Sequence, residues 1–194
     1  MKLIEKGFLE RNKKVIVISI LIMFLSIVAG GVIAYSMTGN TGLISEMIRN
    51  SSNVSTSGGI TLNGFNIIMH NFTVAVLIIL GGLILSIPSL LLIVFNGIDL
   101  GTIFGVDLTF ACTSVLPHGI IEYLSLALAL AIALKIARIE VNIIKNRSFN
   151  IFEEYNVELK DILVLFIIIV ILLIIAGIIE AYITPLVVTN YYGI

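Results

Sequence analysis

Charged residues and cysteine are both scarce in this chain of 194 residues. Asp, Glu, Lys and Arg make up 12% of the residues, against roughly 25% in soluble domains, and 59% of the residues are hydrophobic. The single cysteine, Cys112, excludes an intramolecular disulfide and a metal site built on cysteine pairs. The net charge of −1 and the lack of a basic soluble domain exclude nucleic acid as an expected partner.

The patterns of the common enzyme classes are also absent. The sequence has no Ser-His-Asp order, no phosphate-binding loop and no H-E-x-x-H motif. The short alternating segments of a transmembrane β-barrel are missing as well. We therefore expect neither catalytic residues nor a cofactor.

Long apolar runs dominate the sequence, and its mean hydropathy is +1.16. Several runs reach the roughly 20 residues that a helix needs to cross a bilayer. The first run, from Val15 to Ser36, is followed by no signal-peptide cleavage site, which indicates an uncleaved span. The sequence thus predicts an all-α, polytopic helical membrane protein whose main partner is the lipid bilayer.

Pro88 decides how many spans there are. It lies near the middle of an apolar stretch from residue 67 to 106, and one helix of that length would measure about 60 Å, twice the hydrocarbon thickness. Proline favours the first turn of a helix, so we expect two spans joined by a tight turn; the alternative is one kinked helix. The chain is then a single membrane domain with five spans at about 15–36, 67–86, 88–106, 117–137 and 161–183, an outer loop at 37–66, a cytoplasmic amphipathic segment at 138–160, and interfacial amphipathic helices.

Basic residues predict the orientation. Ten of the eleven Lys and Arg residues lie in two groups, one before the first span and one around the segment before the last span. Basic residues near span ends mark the cytoplasmic side, and five spans place both groups on that side, whereas four would separate them. We therefore expect a multi-pass protein of the cell membrane with a cytoplasmic amino terminus and an extracytoplasmic carboxy terminus.

Small residues repeat on two of the predicted spans. Such stripes allow a neighbouring helix to approach closely. We expect the two stripes to pack on each other, or one of them to form a homodimer or other homo-oligomer; contacts confined to one chain remain an alternative. The stripes are Gly97, Gly101 and Gly105 on the third span and Ser125, Ala129 and Ala133 on the fourth.

Polar side chains within the spans are candidates for a binding site, because ionisable groups are costly in a membrane and usually face the bundle interior. The topology places five of them in one outer layer and two near the middle of the third span. The outer-layer residues are His70, Asn71, His118, Glu122 and Glu180, and the other two are Asn96 and Asp99.

His118 and Glu122 are four residues apart and share one face of a helix. Together with Glu180 they allow four interpretations. They could form a hydrogen-bonded cluster that fixes helix order, a proton or ion site, a recognition site for a lipid headgroup or partner helix, or a catalytic metal site. The spacing differs from H-E-x-x-H because glutamate stands where the second histidine should be.

Four segments together resemble the stage II sporulation protein M family, over nearly the whole chain. They are H-N-F at 70–72, N-G at 96–97 followed by Gly101, L-P-H-G-I-I-E at 116–122, and I-E-A-Y-I-T-P at 179–185. The resemblance implies that Asn71, Asn96, Gly97, Gly101, His118, Gly119, Glu122 and Glu180 occupy the family's characteristic positions. It also implies a non-enzymatic membrane scaffold, since the family's named member works in spore engulfment beside peptidoglycan-degrading partners.

These observations favour a non-catalytic scaffold or anchor of a membrane or cell-envelope complex, with envelope-machinery proteins as partners and a polar cavity in the outer leaflet. The alternative is a transporter, channel or permease-like protein in which Glu122, His118 and Glu180 bind a proton, cation or lipid headgroup. An intramembrane metal hydrolase is a third hypothesis.

Overall fold

The computed structural model describes residues 6–51, 64–146 and 154–193, which form helices and turns with no strand among them. Residues 52–63 of the predicted outer loop and 147–153 of the predicted cytoplasmic segment lie outside this description. The helices are α1 (Phe8–Thr38), α2 (Leu43–Ser51), α3 (Gly64–Leu80), α4 (Ile87–Val106), α5 (Leu108–Phe110), α6 (Leu116–Asn146), α7 (Asn156–Ile178) and α8 (Thr184–Tyr192).

The predicted all-α, polytopic class is confirmed, but the count of five spans is one too many by length and hydropathy. Among the described residues, four continuous helical stretches are long and apolar enough to cross a membrane: Phe8–Thr38, Ile87–Val106, Leu108–Asn146 and Asn156–Tyr192. The second predicted span forms a shorter apolar helix, Ile68–Ile84. Its last four residues, Gly81–Ile84, form a 3₁₀ turn.

A tight turn joins α3 to α4. Leu85 and Ser86 both have a left-handed backbone, with φ of 51° and 60°, and Pro88 lies in the first turn of α4. Ser89 Oγ donates a 2.6 Å hydrogen bond across the turn to the carbonyl of Ile78. The chain therefore reverses here, and the alternative of one kinked helix is wrong.

α6 begins at Leu116, close to the predicted start of the fourth span, but helical structure continues through both Pro117 and Pro185. A wide π turn precedes each one: the N–H of Leu116 donates to the carbonyl of Ala111, and that of Thr184 to Ile179. A proline ring collides with the carbonyl four residues earlier in a regular helix and leaves it without a donor. One extra residue per turn opens the helix at this point, so it continues.

Two predicted non-spanning segments are partly helical. α6 continues without a break to Asn146, so residues 138–146 extend the spanning helix and do not form a separate interfacial helix. On the other side of the bundle, the predicted outer loop contains α2.

The glycine stripe of α4 packs against α1 and not against α6. A Cβ atom at Gly97 would lie 2.5 Å from Ser26 Cβ, and one at Gly105 would lie 2.5 Å from the carbonyl oxygen of Gly31. Gly101 faces the backbone of Ile27 and Gly31 in the same way. The expected contact with the stripe on α6 is therefore wrong, and these buried glycines offer no surface for a homodimer.

The small residues of α6 lie in the centre of the bundle. Ser125, Ala129 and Ala133 are fully buried, and the backbone of Ala133 touches Gly82 in the turn after α3. The core around this helix is filled by side chains such as Ile78, Ile93 and Ile169. α6 is thus the central helix, and the others pack around it.

Candidate functional site

One helix, α6, and one wide turn bring His118, Glu122 and Glu180 together, and we call these three residues the His–Glu–Glu cluster. One nitrogen or oxygen from each lies within 4.8 Å of the others. His118 directly follows Pro117 and Glu122 is one turn further along α6, while Glu180 lies inside the second π turn. The two irregular turns thus lie at the level where these side chains meet.

A second layer of polar groups surrounds the cluster. His118 Nδ1 is hydrogen-bonded to Thr184 Oγ1 at 3.1 Å, and its Nε2 lies 4.0 Å from an oxygen of Glu180. The amide of Asn71, on α3, lies within hydrogen-bonding reach of Glu122. His70 is exposed but close enough to interact electrostatically with Glu180. Residues from α3, α6, the second π turn and α8 therefore converge here.

Asn96 and Asp99 are not members of the cluster. The side-chain amide of Asn96 donates a 2.8 Å hydrogen bond to the carbonyl of Leu92 in its own helix, and Asp99 is exposed. The glycine seam with α1 fixes the rotation of α4 and leaves Asp99 on its outer surface.

A buried charged cluster at the other end of the bundle was missed by sequence reasoning. Arg11 donates from Nε and Nη2 to the two oxygens of Asp161, at 2.9 and 2.8 Å. Asn12 donates to Asp161 at 3.0 Å and accepts a 2.6 Å hydrogen bond from Lys135. Lys135 Nζ is also 3.5 Å from Asp161. One sequence signal was available: Asp161 is an acid that opens an apolar run directly after a basic segment.

This cluster shows that the two basic groups of the sequence lie at the same end of the bundle. Arg11 belongs to the group before the first predicted span, and Lys135 belongs to the group around the end of α6. Both contact Asp161, at the start of α7. We call this end the basic end; the His–Glu–Glu cluster is at the opposite end.

A third polar group, which we call the opposite-end lock, joins Ser45, Asp107 and Tyr192. Asp107 accepts hydrogen bonds from the backbone N–H and the hydroxyl of Ser45, at 2.7 and 2.9 Å, and it caps α5 through Phe110 N–H. The hydroxyl of Tyr192 is 2.9 Å from that of Ser45. Burial alone would raise the pKa of Asp107, but these hydrogen bonds outweigh it and hold its pKa below the ordinary value.

A cavity of about 460 Å³ lies between α1, α4 and α6. Apolar side chains such as Met23, Leu100 and Leu124 line it, and no member of the His–Glu–Glu cluster does. It is therefore not the polar cavity that the sequence predicts; the polar groups meet on another side of α6.

Comparison with known proteins gives one family and one distant relative. The family model described as Stage II sporulation protein M matches residues 19–185. An uncharacterized protein of Methanocaldococcus jannaschii is 29% identical over 137 residues, which cover 67% of this chain and 75% of that protein. No solved structure matches the chain.

Proposed function

Because the chain belongs to the stage II sporulation protein M family, we propose that this membrane protein is a non-catalytic scaffold or anchor of a membrane or cell-envelope complex. The observation that carries the proposal is the way its helices are tied together. The charged cluster joins α1, α6 and α7 at the basic end, and the opposite-end lock joins α2, α8 and the start of α5.

The seam between α1 and α4 supports the same conclusion. Along this seam the backbones of the two helices are in contact through Gly97, Gly101 and Gly105. Alternating access requires one group of helices to rock against another. Helices tied at both ends and touching along their length suit a fixed platform better than a moving transporter.

We further propose that the basic end faces the cytoplasm, since Lys and Arg are retained on that side of a membrane. The first prediction tests this orientation by thiol labelling. In the background Cys112→Ser, which removes the only cysteine, Asn40→Cys should react with a membrane-impermeant maleimide in intact cells. Lys145→Cys should react only after the membrane is opened, because it is exposed at the basic end. The reverse pattern of labelling would contradict the orientation.

The alternative is ion transport through the His–Glu–Glu cluster, which is favoured by its carboxylates and by the two wide π turns beside it. The second prediction separates the two functions. Purified protein in liposomes should give proton and divalent-cation fluxes equal to those of protein-free liposomes, and Glu180→Gln should change nothing. A flux that wild-type protein supports and Glu180→Gln abolishes would contradict the scaffold and establish the transporter.

Partners also belong to this proposal. Envelope-machinery proteins and further copies of this chain are the expected ones. A homo-oligomer would have to use lipid-facing side chains, such as the exposed Phe24 and Phe95, because the glycine stripe is buried against α1.

A further inference from the structure

We propose that His118, Glu122 and Glu180 bind a divalent transition-metal ion, with Zn²⁺ as the probe of choice. The three side chains each present one donor atom, and all three atoms lie within 4.8 Å of one another. An ion at their centre would complete a site with one nitrogen and two oxygen ligands. This binding is separate from the scaffold function, and it revises the expectation of no cofactor.

The state of His118 points to a ligand. The residue is only 9% exposed, and its Nε2 forms no hydrogen bond with any residue that the structure describes. That nitrogen is directed toward the carboxylate of Glu180, at 4.0 Å, which is too far for a hydrogen bond. A metal ion between Nε2 and the two carboxylates would give this nitrogen a ligand bond in place of the long contact with Glu180.

The second layer has the arrangement found around metal sites. Metal-bound histidine normally uses its other ring nitrogen in a hydrogen bond that fixes the tautomer and orientation of the ring. Here Thr184 Oγ1 occupies that position, 3.1 Å from Nδ1, and leaves Nε2 for the ion. Asn71 supports Glu122 in the same manner from α3.

Charge balance also favours a cation. Two carboxylates lie close together among spanning helices, where an uncompensated charge is expensive. A divalent ion would neutralise both of them at once. The imidazole ligand favours zinc and its neighbours in the transition series over Mg²⁺ and Ca²⁺, which prefer oxygen ligands alone.

The present separations require only a small adjustment. Ligand atoms around tetrahedral zinc lie roughly 3.3 Å apart for bonds of about 2.0–2.2 Å. Rotation of the two flexible glutamate side chains would have to move their oxygens by about 1 Å to reach that spacing. With three protein ligands, the fourth position would be open to water.

The third prediction tests metal binding on the full-length protein. The protein is purified with a tag that contains no histidine, stripped with a chelator and dialysed against Zn²⁺, and metal content is then measured by mass spectrometry. We expect one zinc per chain and a higher temperature of unfolding with Zn²⁺. Co²⁺ in place of Zn²⁺ should give the visible absorption of a low-symmetry site with nitrogen and oxygen ligands, a readout that needs no variant.

Variants assign the site. His118→Ala, Glu122→Gln and Glu180→Gln should each abolish stoichiometric binding, and Asn71→Ala should weaken it about 10- to 100-fold, as expected for an outer support. The matched control is Glu140→Gln, a carboxylate on the same helix α6 outside the cluster, which should bind like wild type. Wild-type protein that binds less than one zinc, or binding that survives all three ligand variants, would overturn the proposal. Zinc binding without flux in liposomes would leave the scaffold standing.

Discussion

Asp161→Asn is expected to lower the free energy of unfolding by about 3–5 kcal/mol, the usual result of removing one partner from a buried ion pair. Asp161 is 1% exposed and accepts hydrogen bonds from Arg11 and Asn12. Its loss would remove the carboxylate next to Lys135, which is also buried and which donates a hydrogen bond to Asn12. Arg11 is partly exposed and can turn toward water, so the unpaired lysine accounts for most of the cost.

The measurement is denaturant or thermal unfolding of the purified protein in one detergent. Glu10→Gln is the control, since this exposed carboxylate in the first turn of α1 should change stability by at most about 0.5 kcal/mol. A second variant isolates the charge: Asp161→Leu combined with Lys135→Met removes both buried ions and should recover most of the lost stability. Equal stability of Asp161→Asn and wild type would show that the charged cluster does not hold the helices together.

Gly101→Leu is expected to force α1 and α4 apart. The free energy of unfolding should fall by more than overpacking usually costs, which is about 1–3 kcal/mol. The added Cβ alone would meet the backbone of Ile27 and lie 2.7 Å from the amide nitrogen of Gly31. Backbone atoms cannot rotate away as a flexible side chain can, so one whole helix must move. Unfolding in detergent and the yield of monodisperse protein are the measurements.

Gly119→Ala is the matched control for this prediction. Gly119 is also buried in a helix, but a Cβ there would be 3.4 Å from its nearest neighbour, Val115 Cγ1. Alanine favours a helix over glycine by as much as about 1 kcal/mol, so this variant should be as stable as wild type or slightly more so. If both glycine variants lose stability equally, the contact between α1 and α4 is not as close as described.

The sequence predicted those parts of the fold that depend on hydropathy and on Pro88. Apolar runs identify the helical membrane class, and a proline at the start of a helix identifies the turn between α3 and α4. It could not predict which helix the glycine stripe touches, because Gly97, Gly101 and Gly105 would allow close approach by any neighbour. The partner is α1 because Gly30 and Gly31 present a complementary surface there.

The sequence identified some of the buried polar residues and missed others, depending on where each lies in an apolar run. His118, Glu122 and Glu180 stand out because ionisable groups are rare in apolar runs, and topology gives each a depth. Asp161 and Asp107 lie at the ends of such runs, where charged residues are common and do not indicate a buried site. Their burial depends on which helix ends meet, and this is a property of the assembled bundle.

The wide turns before Pro117 and Pro185 have a consequence for evolutionary comparison. Each adds one residue to a helical turn, which changes the direction of every later side chain by about 100°. A relative whose helix lacks the wide turn would correspond to this chain only if a one-residue gap were placed before the proline. Without that gap, an alignment would pair each residue near the turn with the neighbour of its true counterpart. His118 would then be compared with the wrong residue of the relative.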